Sequence, residues 1–92
     1  MMTEIDGAKF KLSLNAAGKP YVLKRWTDGA NGSWKTGRPH WATVWAEWHK
    51  GVPTGLRKRA VAAMGFEWRN NTQADLGWHR LSDGAHLGPK EV

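Results

Sequence analysis

Three consecutive cations, Arg57, Lys58 and Arg59, form the densest charge cluster of the sequence, at the start of a predicted helix. Successive helical residues point about 100° apart, so these side chains do not share one solvated side. Cations in a first helical turn also oppose the helix dipole, at roughly 0.3–1 kcal/mol each. A phosphate would reverse that cost, because free backbone amides and basic side chains would both face it, and Gly55 would let it approach closely. The cluster therefore indicates either an anion-binding site or an ordinary solvated turn.

Basic side chains recur through the first two thirds of the chain. Residues 9–59 carry eleven Lys or Arg and two carboxylates, a net charge of +9, whereas the whole chain has a net charge of +6. Such clustering is typical of proteins that bind nucleic acid or an acidic protein surface. Trp34, beside Lys35 and Arg38, is the tryptophan expected to be exposed, where it would stack on a base or cap the core edge. The candidate binding residues are Lys9, Lys11, Lys24, Arg25, Trp34, Lys35, Arg38, Arg57, Lys58 and Arg59.

Neither catalysis nor cofactor binding is indicated by any motif. The sequence has four histidines without a His-Glu-x-x-His arrangement, and it has no cysteine to act as a thiolate ligand. It contains no nucleophile elbow, P-loop or dinucleotide-binding glycine motif. The eight carboxylates are scattered singly, so no general acid–base pair can be named. We expect a protein that is not an enzyme and uses neither a cofactor nor a metal.

The elements that position the basic residues are predicted from hydrophobic periodicity. The strongest signal is a set of apolar residues at i, i+3, i+4 and i+7, namely Trp41, Val44, Trp45 and Trp48. Pro39 suits the first turn of such a helix, and Gly51 suits the position after its end. Because aromatic residues at helical spacing are usually buried, these tryptophans are expected to form the core rather than a stripe that stacks on a ligand.

A second helix is predicted at 55–64, with Thr54 as its N-cap and Gly65 after its end. Two short helices joined by a turn of about four residues match a helix-turn-helix unit. Many helical hairpins that bind no DNA have the same pattern, so the match favours DNA binding without requiring it.

Strands are predicted on both sides of these helices. Residues 9–14 alternate apolar and polar side chains, 15–20 supply turn residues, and 21–27 form the returning strand of a hairpin. Residues 33–36 would add a third strand after the turn at 28–32, and 66–69 alternate like a further strand. Residues 72–81 are compatible with a helix that Gly77 weakens or with a strand that begins at Trp78.

Together these elements predict a small single-domain α+β fold. It consists of an N-terminal β-hairpin or three-stranded meander, a two-helix, helix-turn-helix-like unit and a short mixed C-terminal segment. We expect a flexible leader at 1–8, the basic domain at 9–87 and a tail at 88–92. The lack of cysteine suits a reducing compartment, and neither a signal peptide nor an apolar run of ~20 residues is visible. We expect a cytoplasmic protein with no membrane partner.

The function predicted from this composition is a small, non-catalytic nucleic-acid-binding module. DNA is favoured over RNA because the sequence shows no RNA-module signature. The alternative is a small interaction protein, of the kind made by phages and other mobile elements, that docks on a larger nucleic-acid enzyme and inhibits or modulates it. Trp and Arg anchors would serve either role, since protein interfaces favour both residue types.

Overall fold

The computed structural model describes residues 1–28 and 38–89. Within these ranges the chain forms two antiparallel sheets and one short helix. The first sheet has the order β1-β2-β3-β4, with strands Met2–Ile5, Ala8–Leu14, Pro20–Thr27 and His40–Ala46. The helix α1, Leu56–Ala63, leads to the second sheet, with the order β5-β6-β7 and strands Phe66–Arg69, Gly77–Arg80 and His86–Gly88.

The predicted hairpin is present as β2 and β3. Phe10 and Leu12 are buried on one side of β2, and alternation sends the intervening lysine to the other side. The side-chain oxygen of Asn15 accepts hydrogen bonds from the N–H groups of Ala17 and Lys19, at 2.9 and 3.0 Å, and closes the turn between the strands. Here a local pattern and a local turn were sufficient to predict the structure.

Residues 1–8, expected to be a flexible leader, contain β1. This strand pairs antiparallel with β2, from Met2 opposite Lys11 to Ile5 opposite Ala8. The turn between them uses Asp6 and Gly7, which both have positive φ angles, of 49° and 80°. An Asp-Gly pair is a strong hairpin signal in sequences, so this strand had a sequence feature that could have indicated it.

The helix predicted over the tryptophan-rich segment is wrong, because this segment forms β4. Leu23 of β3 lies opposite Trp45, whereas Lys24 lies opposite Thr43, so Val44 is an extra residue in β4. Such a bulge lets two successive residues approach the same side of a sheet. Val44 and Trp45 accordingly both contact the core. The bulge thus lets a strand bury the adjacent pair Val44 and Trp45, whose spacing in the sequence is also typical of a helix face.

The three tryptophans that were predicted to form one buried helix face differ in burial and in the side they face. Trp45 is 4% exposed, whereas Trp48 lies beyond the end of β4 and is 57% exposed. Trp41 faces away from the core and contacts Trp26 of the neighbouring strand. β-branched and aromatic residues favour pleated strands, and here that preference overrode the helical spacing.

The predicted α+β class and its helix-turn-helix-like unit are therefore corrected to a mostly β structure. The described residues contain one helix, α1, close to the second predicted helix. Gly55, with a φ of 58°, occupies the N-cap position that was assigned to Thr54, and no side chain caps the helix. A single helix packed beside a sheet has no partner with which to form a helical pair.

The core lies where α1 and the second sheet cover one side of the first sheet. Its buried members are Ala8, Phe10, Leu12, Leu23, Trp45, Ala60, Val61, Phe66 and Trp78. Trp78 of β6 lies edge-to-face with Trp45 at a centroid distance of 5.8 Å and with Trp68 at 5.5 Å. This chain of indole rings joins the two sheets.

The segment 72–81, for which helix and strand were both open, contains a turn followed by β6. Thr72 accepts a hydrogen bond from the N–H of Asp75 at 3.2 Å, and the chain then enters the sheet at Gly77. Gly77 has a φ of 128° and lies against the backbone of Gly88. Gly77, which weakened the helix prediction, thus allows the backbones of two strands to lie close together.

Within the described ranges, the structure contains no helix that is long and apolar enough to cross a membrane.

Trp45→Ala should lower the free energy of unfolding by roughly 3–5 kcal/mol, because it removes a buried ring from the joint between the sheets. The control Trp48→Ala should cost about 1 kcal/mol or less, since that ring is largely exposed. Chemical denaturation of both variants measures the difference. Equal losses would contradict the difference in burial between Trp45 and Trp48 in this fold.

Gly77→Ala should destabilise the fold by about 3 kcal/mol or more, because the added Cβ would overlap the carbonyl carbon and oxygen of Gly88. The control is Gly84→Ala, at a position with a φ of 71° where the added methyl group would have no atom within 4 Å. That change should cost only about 1–2 kcal/mol, from backbone conformation alone. Thermal melting that ranked the two variants in the opposite order would contradict the packing of β6 against β7.

Candidate functional site

The side of the first sheet that faces away from the core carries a group of cations and tryptophans. Phe10 and Leu23 point into the core, so alternation places their immediate neighbours on the opposite side. We call the cations and tryptophans on that opposite side that are exposed or half-buried the outer face, and its members are Lys9, Lys11, Lys24, Trp26 and Trp41. The strand register brings three different strands together there, because Lys11 lies opposite Lys24 and Trp26 lies opposite Trp41.

The two tryptophans of the outer face touch each other. Their ring centroids are 5.4 Å apart, and their planes meet at 69°. Trp26 is 39% exposed, and the Lys11 ammonium nitrogen lies 4.6 Å from the centroid of Trp41. This arrangement joins a cation to an aromatic pair of which Trp26 is partly exposed.

The lysines of the outer face are not neutralised within the described part of the chain. No ion pair there involves Lys9, Lys11 or Lys24. Lys11 and Lys24 lie directly opposite each other, a cross-strand placement that destabilises a sheet by roughly 0.2–1 kcal/mol when the charges are alike. Glu4, opposite Lys9, supplies a carboxylate at the edge of the face. The outer face therefore carries an excess of positive charge among the described residues.

Arg25 lies on the other side of the sheet, although it is adjacent in sequence to two outer-face residues. Its guanidinium carbon is 5.8 Å from the ring centroid of Phe10, the residue opposite it on β2. Arg57 of α1 lines the same cavity as Arg25, which has a volume of about 260 Å³. The structure thus brings two of the predicted site residues together from distant parts of the sequence.

The remaining cations of the basic triplet point elsewhere, as their helical spacing requires. Arg59 forms an exposed ion pair with Asp6 at 2.7 Å, which connects α1 to the turn between β1 and β2. Lys58 lines a separate cavity of about 180 Å³ beside Trp68. The triplet therefore does not form one binding surface.

The loop before β4 is described only from Arg38 onward. Arg38 is exposed, and its carbonyl oxygen lies 2.8 Å from Nδ1 of His40. The predictions that Trp34 is an exposed stacking residue and that Lys35 binds beside it fall outside the described residues, as does the third strand predicted at 33–36.

Sequence reasoning missed the aromatic half of the outer face. Trp26 was not singled out, and Trp41 was assigned to the core of a helix. A signal for Trp26 was available, since in a strand it shares the side of Lys24. Trp48 was also assigned to the core, but it is exposed and lies edge-to-face with Tyr21 at 5.6 Å, forming a second aromatic patch.

Polar groups of the second sheet are engaged within the fold. The rings of His79 and His86 stack at 4.6 Å, and each ring presents Nε2 to a backbone carbonyl at 2.8 Å. The pKa of the Asp83 carboxyl is lowered to about 2. The largest cause is a hydrogen bond from Arg80, and the next is a hydrogen bond from the backbone N–H of Ala85. In residues 1–28 and 38–89, no three His, Cys, Asp or Glu side chains converge as a metal site.

No protein-family model, curated protein or solved structure matches this chain.

Lys24→Thr should raise the free energy of unfolding by about 0.2–1 kcal/mol, because it removes a like-charge pair and places threonine opposite Thr43. The control is Lys9→Thr, which makes the same replacement opposite Glu4 instead of opposite a lysine. That variant should gain less stability, since it removes the favourable placement of Lys9 opposite the Glu4 carboxylate. Urea denaturation of both at low salt measures the difference, and an equal gain would mean that strand propensity alone is responsible.

Proposed function

We propose that this protein is a non-catalytic nucleic-acid-binding module that holds a single strand on its outer face, with DNA favoured over RNA. The observation that carries the proposal is the contact between Trp26 and Trp41 beside Lys11 and Lys24 on one side of an antiparallel sheet. Sequence-tolerant binding of single strands combines aromatic stacking platforms with cations that track the phosphates. Both components are present within three adjacent strands.

A single strand fits this surface better than a duplex does. Stacking on a tryptophan requires a base with an accessible face, which a paired and stacked duplex does not offer. The helix α1 has Ala60 and Val61 buried in the core, so the described residues supply no helical pair that presents a recognition helix to a major groove. DNA remains the favoured ligand because the sequence shows no RNA-module signature.

A second candidate function is docking on a larger nucleic-acid enzyme to inhibit or modulate it. The observation that favours it is the exposed aromatic pair of Tyr21 and Trp48, which is separate from the outer face. Tryptophan and tyrosine are common anchors of protein interfaces. Variants of this pair therefore distinguish the two functions.

Binding of a fluorescent single-stranded DNA oligonucleotide, measured by anisotropy over a salt series, tests the proposal. Trp26→Ala and Trp41→Ala should each weaken binding by about 5- to 150-fold, because each removes stacking worth about 1–3 kcal/mol per base. Replacing Lys9, Lys11 and Lys24 by Gln should flatten the log–log salt slope by about 2 units, since single strands contribute about 0.7 per phosphate contact.

Trp48→Ala is the matched control, because it removes an exposed tryptophan outside the outer face and should leave DNA affinity unchanged. Single strands should also bind more tightly than a duplex of the same sequence. Absence of binding at about 50 mM salt, or an equal loss in the Trp48 variant, would overturn the outer face as the nucleic-acid site. It would leave the docking function ahead.

A further inference from the structure

A second cationic site lies on the core side of the same sheet, behind the outer face. It is the cavity of about 260 Å³ that contains Arg25 and Arg57, which we call the two-arginine cavity. Its other lining residues are Phe10, Val44, Thr54 and Leu56. Phe10 is only 1% exposed, so the floor of this cavity is the hydrophobic core itself.

The charge of the two-arginine cavity is uncompensated. Both arginines are exposed, and no ion pair joins Arg25 or Arg57 to a carboxylate in the described ranges. None of the described residues that line the cavity is acidic. The two arginines that line this cavity carry planar guanidinium donors, which bind a phosphate by paired, charge-assisted hydrogen bonds.

The polypeptide around the cavity adds neutral donors. Gly55 is the N-cap of α1, no side chain caps the helix, and its first turn has no acidic residue. The first backbone N–H groups of a helix, including those of Leu56 and Arg57, have no acceptor within it. Thr54, whose side chain carries a hydroxyl, also lines the cavity. These neutral donors add to the two arginines, which supply the positive charge of the cavity.

We propose that the two-arginine cavity binds the terminal phosphate of a nucleic-acid strand. The cavity is smaller than the roughly 300–1,000 Å³ of pockets that enclose drug-sized ligands, so it suits a small group rather than a nucleoside. Because buried Phe10 closes the inner side of the cavity, a ligand can extend from it only towards solvent, as a terminal phosphate with one attached nucleotide does. Arg25 immediately precedes Trp26, so the cavity and the outer face lie on opposite sides of β3, and a nucleic-acid strand held by both has to pass around the edge strand β4. This inference rests on the proposed function, which supplies the assumption that the ligand is a nucleic-acid strand.

Inorganic phosphate probes the cavity without any nucleic acid. Phosphate should raise the melting temperature of the unaltered protein above its value in chloride at equal ionic strength. Because phosphate also stabilises proteins by exclusion from their surface, the comparison between variants decides the result. Arg57→Gln and Arg25→Gln should lose the site-specific part of the shift, and Lys50→Gln, which removes an exposed charge outside the cavity, should retain it.

Oligonucleotides of one sequence, with a 5′-phosphate, with a 3′-phosphate or with neither, test the strand end. The protein should bind one phosphorylated form about tenfold more tightly than the unphosphorylated strand, the effect expected of charge-assisted hydrogen bonds. That preference should disappear in Arg57→Gln and persist in Lys50→Gln. Trp26→Ala should weaken all three strands by the same factor, because it acts at the outer face.

The outcomes separate this inference from the proposed function. Equal affinity for all three strands would overturn the terminal-phosphate site and leave the outer face intact. A specific phosphate shift without any binding of strands would overturn both nucleic-acid assignments and reduce the cavity to a site for free phosphate. If Arg25→Gln fails to fold because it loses its contact with Phe10, the exposed Arg57 still provides the test. A preference for phosphorylated strands that survives in Arg57→Gln would also overturn the inference.

Discussion

The structure depends on the burial of one side of the first sheet, and the indole pair of Trp45 and Trp78 is central to that burial. A chain of 92 residues has little material for a core, so α1 and the second sheet are both used to cover this single side. Antiparallel sheets tolerate such an arrangement, because one side can pack and the other can face water. The side that is left accessible is where the cations and tryptophans of the outer face gather.

The same burial assigns neighbouring residues to different tasks. In β3, Leu23 enters the core, Lys24 and Trp26 face outward, and Arg25 returns to the core side at its margin. Strand periodicity thus divides one basic stretch between the outer face and the two-arginine cavity. The helix divides Arg57 and Arg59 in a similar way, since one lines that cavity and the other pairs with Asp6. Charge density in the sequence therefore did not translate into one continuous basic patch.

The fold was predictable where local signals agreed with long-range packing. Alternation around Phe10 with turn residues at Asn15 gave the β2–β3 hairpin, and the glycine after Met64 marked the end of α1 within one or two residues. Prediction was wrong where the bulge at Val44 brought two successive residues to the core side and imitated a helix face. The basic members of the candidate site were found by composition, whereas Trp26 and Trp41 were missed because their side of the sheet depends on that register.

The amino-acid sequence by itself determined the inventory: a basic chain, rich in tryptophan and without cysteine, in which short-range alternation and turn chemistry specify a hairpin and a short helix. Only the tertiary structure decided which tryptophans are core and which are accessible, because burial depends on strand pairing between residues distant in sequence. It likewise decided that Arg25 and Arg57 share a cavity. A one-residue change in register reverses which side of a strand is buried, and local sequence contains no measure of that long-range choice.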